Sequence, residues 1–198
     1  MRGENGMTTR AEDVLRRLRE TEALLEGHFL LTSGLHSAGY VQCAKVLQYP
    51  QHAEVMGTGI AEQVRDLSAD VVMSPAIGGI VLGQEVARAL GVRAIFGERE
   101  QGQMTLRRGF HLEPGERVIV VEDVTTTGGS VREVIEVAQA HGGNLVATAA
   151  ILDRSNGTAT FPAPFHALAT LNIQTYAADA CPLCQQGTAP VKPGNRQI

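Results

Sequence analysis

Lysine is nearly missing from this 198-residue chain, with Lys45 and Lys192 the only two. Basic character therefore rests on arginine, and 17 basic against 21 acidic residues leave a net charge of −4. No basic stripe is visible, which argues against a nucleic-acid surface. Long apolar runs are also missing, so no membrane span is expected. The start, Met1 to Gly6, lacks the apolar core of a signal peptide, and the expected location is cytoplasmic. Cysteine is scarce, at three residues, too few to complete a four-ligand zinc site without histidine. Neither a Gly-Lys-Ser/Thr P-loop nor a Gly-x-Gly-x-x-Gly dinucleotide fingerprint opens the helix that matters most here.

What is there is concentrated between Val118 and Ser130. Val118 to Val121 are four consecutive β-branched residues, the pattern of a strand covered on both faces. Glu122 and Asp123 follow, then Val124, Thr125, Thr126, Thr127, Gly128, Gly129 and Ser130, with Ser130 a suitable N-cap for the next amphipathic run. A small-residue loop between a strand end and a helix start offers backbone N–H groups to an anion, and a phosphate fits. The adjacent carboxylates suit the vicinal hydroxyls of a sugar. Phosphate and diol together suggest a ribose 5-phosphate, as in phosphoribosyl pyrophosphate. An ordinary Thr- and Gly-rich βα turn is the plainer alternative, but it has no need of a carboxylate pair.

Along the chain, apolar spacing predicts a helix over 11–26 stopped by Gly27, a helix over 51–67 opened by Pro50, and a strand over 69–74. A helix over 80–90 ended by Gly91 and strands over 92–96, 117–124, 145–152 and 166–171 follow. Val131, Val134, Ile135 and Ala138 form the stripe of another helix, closed by Gly142 and Gly143. Strand and helix alternate, so the expected architecture is α/β with a central parallel sheet and flanking helices. One domain of this length can bury a large core, and there is no repeat or dividing linker. Residues 97–115 break the alternation with charges and read as a mobile lid; within it Arg99, at a strand end, is the foremost candidate, with a solvated charged hairpin the alternative.

The donor motif resembles that of the type I phosphoribosyltransferases: apolar strand, two acidic residues, Thr-rich turn, Gly and helix. Gly27 to Ser37 followed by Tyr40-Val41-Gln42 is similar to the N-terminal segment of the orotate phosphoribosyltransferases. Ser74 to Gly79 is similar to their pyrophosphate loop, and Leu152-Asp153-Arg154 to their late strand end. The resemblance runs from about Leu15 to Cys184. It implies the type I phosphoribosyltransferase fold with a mobile lid loop and a small N-terminal hood at about 11–50, a core at about 51–175 and a C-terminal tail at 176–198. Residues 1–10 are expected to be a disordered extension, with Met1 or Met7 as the true start.

The resemblance also implies roles. Glu122 and Asp123 hold the ribose hydroxyls, and either could stabilise cationic charge at the reacting carbon; Val124, Thr125, Thr126, Thr127, Gly128, Gly129 and Ser130 wrap the 5-phosphate. Ala76, Ile77 and Gly78 face the pyrophosphate, with Arg99, Arg107 and Arg108 as cations. Thr126, Arg154, Tyr40 and Ser33 lie on the orotate side, where a guanidinium fork suits a carboxylate. A surface salt bridge with Asp153 or Glu122 is the plainer reading of Arg154. Magnesium is the implied cofactor, held mainly by pyrophosphate and ribose hydroxyls with no side-chain ligand. A homodimer is the implied assembly, and orotate and phosphoribosyl pyrophosphate are the implied partners, giving orotidine 5-monophosphate in pyrimidine synthesis. The departure is lysine: Gly78, Thr32 and Gln103 stand where basic residues are common in the family.

Two other functions stay open at this point. The donor motif does not specify the acceptor, so a purine phosphoribosyltransferase is one; a non-catalytic phosphoribosyl pyrophosphate sensor is the other. Cys181-Pro182-Leu183-Cys184 has the spacing of half a zinc site or of a redox pair. Cys43, His28, His36 or His166 could complete the former, but the setting in a Gly/Pro-rich tail favours a structural role, and no metal ligand is assigned from side chains.

Overall fold

The computed structural model describes residues 9–193. Of the extension expected over 1–10, residues 1–8 and the choice of start site lie outside that range. Thr9 and Arg10 instead begin the first helix, α1 (Arg10–Glu20), whose N-terminus is a capping box in which the Glu12 carboxylate accepts from the Thr9 backbone N–H at 2.7 Å. The helix does not continue to Glu26. Glu22 adopts a left-handed conformation, φ 54°, and Leu24–Leu30 is a strand, β1. Leu24, His28 and Phe29 are buried there, because β1 pairs antiparallel with β2 (His36–Val41), and β2 with a two-residue strand from the far end of the chain, Thr175–Tyr176. The segment expected as a hood thus forms a three-stranded sheet with Thr175–Tyr176 from the far part of the chain.

A short helix α2 (Ala44–Leu47) leads to α3 (Pro50–Val64), with Pro50 at its start as expected. The main sheet contains β3 (Val71–Pro75), β4 (Arg93–Glu100), β5 (Gln103–Leu106), β6 (Arg117–Thr125), β7 (Asn144–Asp153) and β8 (Phe165–Thr170), in the order β5-β4-β3-β6-β7-β8. All neighbours are parallel except β4 and β5. Helices α4 (Gly78–Leu90) and α5 (Gly129–Ala140) cover opposite faces of it. Val118, Ile119, Val120 and Val121 are each fully buried. Ile119 and Val121 pack toward the side of α3 and α4, Val118 and Val120 toward α5. At roughly 2 kcal/mol per buried side chain, this strand is a strong anchor for the loop that leaves it.

The excursion after β4 is a regular hairpin. Gln101 and Gly102 both have positive φ, 52° and 86°, so the chain turns tightly and β5 returns against β4 with Glu100 opposite Gln103. Met104 and Leu106 pack on the α5-side core, an alternation that the surrounding charges hid. Strand order reverses between β3, which leads outward to β4, and β6, which leads to β7. A crevice therefore opens at the carboxyl ends of β3 and β6, the position where open α/β sheets bind ligands.

Candidate active site

Glu122 and Asp123 end the buried run of β6 and point to opposite sides of the sheet. Glu122 lines a cavity of about 210 Å³ together with Arg99, Val124 to Val131 and Glu133. Asp123 abuts the loop after β3, where a Cβ added at Gly78 would lie 3.1 Å from Asp123 Oδ2. Glycine at 78 allows that approach, and a lysine side chain there would begin in contact with the carboxylate. Backbone N–H groups reach both acids: that of Asp123 donates to Glu122 Oε1 at 3.0 Å, and that of Val124 to Asp123 Oδ1 at 2.7 Å. Burial is the larger effect. It pushes Glu122 up to about 8, aided by the neighbouring Asp123, and raises Asp123 as well. Two crowded carboxyl groups at a strand end, both raised by burial, are strongly perturbed groups in a cleft, as functional acids often are.

The loop from Thr125 to Ser130 curls around the 210 Å³ cavity before α5. Its N-cap is Gly128 and not Ser130, because Gly128 takes φ 76° and Ser130 already lies within the helix. A Cβ on Gly128 would meet the Phe161 ring at 2.9 Å. Gly128→Ala is accordingly expected to destabilise the protein by about 1–3 kcal/mol and to distort the cradle. Thermal unfolding with and without phosphoribosyl pyrophosphate checks both effects.

Arg99 reaches the cavity and pairs with Glu133 at 2.6 Å. Arg107 and Arg108 are not brought to it: Arg108 grips Glu98 through two contacts of 2.6 and 2.7 Å, and Arg107 pairs with Glu100 at 3.3 Å, all on the hairpin. Ala76 is tied to β4 by an N–H donated to the Gly97 carbonyl at 2.7 Å, while Ile77 projects with 85% of its surface exposed.

Arg154 follows β7, and its backbone N–H donates to the Thr125 carbonyl at 2.8 Å, next to the cradle. Among the described residues it forms no salt bridge, with Asp153 and Glu122 included; Asp153 Oδ1 instead accepts from the Ser155 N–H at 2.8 Å. Its Nε is buried without a partner, as is Thr125 Oγ1. An unpaired buried guanidinium N–H is costly unless something docks against it. Cys43, which sequence reasoning left among possible metal ligands, is buried within the electrostatic reach of Asp123, Glu122 and Arg154, and burial pushes its thiol well up. Nothing in the sequence pattern placed it there, since its position is set by how α2 packs against α3 and α4.

A family model described as phosphoribosyl transferase domain matches residues 45–177. A protein of Caldicellulosiruptor saccharolyticus named orotate phosphoribosyltransferase is 54% identical over 187 residues, spanning 94% of this chain and 98% of that one. The chain belongs to the orotate phosphoribosyltransferase family. A second orotate phosphoribosyltransferase, from Heliobacterium modesticaldum, is 55% identical over 93% of this chain and 98% of its own. The fold is that of the solved Mycobacterium tuberculosis orotate phosphoribosyltransferase in complex with phosphoribosyl pyrophosphate, with a TM-score of 0.66 and 23% identity over 82% of this chain and 96% of that one.

Two other residues expected on the orotate side are not gathered at the cradle. Tyr40 packs its ring 6.0 Å from that of Phe29 in a separate cavity shared with Val191 and Pro193, and Ser33 is exposed in the turn between β1 and β2. Thr126 is exposed on the cradle loop itself. No helix among the described residues is long and apolar enough to cross a membrane.

Proposed function

We infer that this protein transfers ribose 5-phosphate from phosphoribosyl pyrophosphate to N1 of orotate, giving orotidine 5-monophosphate and pyrophosphate. The observation that carries the reading is the buried, unpartnered Arg154 Nε on a residue tied by its backbone to Thr125 of the cradle, with Glu122 lining that cradle and Asp123 beside it on the Gly78 side. The cradle takes the 5-phosphate on the backbone N–H groups of Thr126 to Ser130. Glu122 on the cradle side and Asp123 on the Ala76–Gly78 side accept from the two ribose hydroxyls. Arg154 forks onto the orotate carboxylate, and Thr126 stands at the boundary between the two reactants.

The reaction breaks the bond from C1 to the pyrophosphate oxygen and forms the bond from C1 to N1. No protein nucleophile is required. Aligning both reactants and screening the charge that develops supply the rate, effects that together lower a barrier by on the order of 10 kcal/mol. Arg99 must exchange Glu133 for the ligand to contribute. Arg107 and Arg108 contribute only if the hairpin folds over the site and releases Glu98 and Glu100. Magnesium fits the donor set: hard carboxylate oxygens border a site whose ligand brings its own phosphate and hydroxyl oxygens. Bound there it would neutralise pyrophosphate charge, and Glu122 and Asp123 would hold the ribose hydroxyls. A homodimer and a cytoplasmic location belong to the same reading.

Incubating the protein with orotate, phosphoribosyl pyrophosphate and magnesium is expected to yield orotidine 5-monophosphate and pyrophosphate in equal amounts by chromatography. Pyrophosphate released without the nucleotide would overturn the acceptor assignment.

Donor binding carries its own pH signature. The hydroxyls need ionised acceptors, and Glu122 in the free protein is raised to about 8. Below that value donor affinity is expected to weaken by up to about tenfold per pH unit, with a proton released on binding. Calorimetry in two buffers of different ionisation enthalpy measures that proton; a pH-independent affinity from about pH 6 to 9 would contradict the assignment.

A further inference from the structure

The Cys-x-x-Cys pair is completed by histidines from the opposite end of the chain. His28, His36, Cys181 and Cys184 place four ligand atoms within 4.8 Å of one another, and the first three of these residues are buried. His28 Nε2 lies 2.9 Å from His36 Nδ1, Cys181 Sγ lies 3.5 Å from His28 Nε2, and Cys184 Sγ lies 3.3 Å from His36 Nδ1 and 3.9 Å from His28 Nε2. A zinc tetrahedron with ordinary bond lengths has edges of about 3.3 Å for N to N, about 3.6 Å for N to S and about 3.8 Å for S to S. Four of the six separations are already close to these figures; the two imidazoles need to part by a few tenths of an ångström, and the remaining pairs, which lie within 4.8 Å, need to close by up to about 1 Å.

Local structure explains the convergence. His36 is the register partner of Leu30, so His28, two residues earlier on β1, is its diagonal neighbour on the same face of the hairpin. The chain after the third hood strand turns through Ala178–Ala180 into a one-turn helix, α6 (Pro182–Gln185), which carries the two thiols one turn apart. A second layer of contacts fixes the tautomer. The Thr188 hydroxyl donates to the Leu183 carbonyl at 2.8 Å, so the ring N–H of His28 at Nδ1 donates to the Thr188 oxygens at 2.9 and 3.1 Å and leaves Nε2 unprotonated toward the cluster.

We propose that His28, His36, Cys181 and Cys184 form a closed tetrahedral zinc site that clamps the C-terminal segment onto the hood. Binding replaces the two thiol protons, which pass to solvent, with Zn–S bonds, and no redox change is involved. The clamp reinforces the backbone pairing of Val191 with His28 and Leu30, and it steadies the turn from Leu31 to Leu35 that carries Ser33. None of its four ligands lines the cradle cavity, so a resident zinc is distinct from the magnesium of the proposed reaction.

The test is zinc content by mass spectrometry of the full chain purified under reducing conditions without chelator. One zinc per chain is expected, falling to less than about a tenth in Cys181→Ser/Cys184→Ser and staying in Cys43→Ser. Should the double variant fail to fold, cobalt loaded into the wild-type chain decides the matter: tetrahedral visible bands with a thiolate charge-transfer band support the site. A chain that holds no zinc and gives no such cobalt spectrum, or one in which Cys181 and Cys184 are found as a disulfide under the same conditions, overturns it.

Discussion

Arg154→Ala is expected to raise the KM for orotate by roughly 30- to 1,000-fold while leaving phosphoribosyl pyrophosphate binding within a few-fold of the parent. The range corresponds to about 2–4 kcal/mol, the usual effect of removing one partner of a desolvated charged hydrogen-bonded pair. Arg154 is held by its backbone to Thr125, yet its side chain has no ion-pair partner among the described residues and its Nε is buried unbonded. Burial lowers its pKa, the direction expected of a cation kept waiting for an anion. Arg154→Lys is expected to recover only part of the loss, because an ammonium cannot match both carboxylate oxygens. Steady-state kinetics with each substrate varied in turn checks this. Equal loss for donor and acceptor would remove Arg154 from the acceptor side.

Asp123→Asn and Glu122→Gln are expected to lower kcat/KM for phosphoribosyl pyrophosphate by on the order of 100-fold, with the orotate side affected less. The same substitutions should change stability in the opposite sense. Both carboxyls are raised by burial, so over the window from the ordinary glutamate value of 4.5 to about 8 the folded protein keeps a proton on Glu122 that the unfolded chain releases. Stability contributed by that group therefore falls as pH rises through this window. Glutamine has no such penalty. Glu122→Gln should gain thermal stability relative to the parent from about pH 5 to about pH 9, with the gap widest at the alkaline end. A gap that narrows with rising pH would contradict the burial argument, and unchanged donor kinetics would sink the diol role.

The parts of this account that were legible in the sequence are those with a period and a sharp end. The run Val118 to Val121, the acids that follow and the small-residue loop specified a buried strand, its functional terminus and the cradle, and α3 and α4 were marked by Pro50 and Gly91. The hood was harder. Leu24 and Leu25 continue the helical spacing of α1, and only the pairing of β1 with β2 and the left-handed Glu22 end the helix early. Long-range pairing of this kind leaves no local signature, which is also why Thr175–Tyr176 could not be assigned to a sheet with His36 and Ser37.

The site divides along the same line. Glu122, Asp123 and the cradle loop are contiguous, so one motif reported them together. Arg99 and Arg154 sit at ends of strands that the sheet order brings to the same rim, and their positions followed from topology. Arg107 and Arg108 rest on their charge and on the resemblance of the lid segment, and the hairpin gives them carboxylate partners within itself. The proximity of Cys43 to the acids and the meeting of His28 and His36 with Cys181 and Cys184 both depend on contacts across more than a hundred positions or between layers.

The central claim is that the acceptor is a carboxylated pyrimidine read by Arg154. The most direct measurement is magnesium-dependent consumption of orotate by ultraviolet absorbance, with adenine, hypoxanthine and uracil offered as competing acceptors. Consumption of orotate alone, undiminished by the three competitors, is the predicted result. Consumption of a purine in preference to orotate, or of no base while phosphoribosyl pyrophosphate still binds, would contradict it.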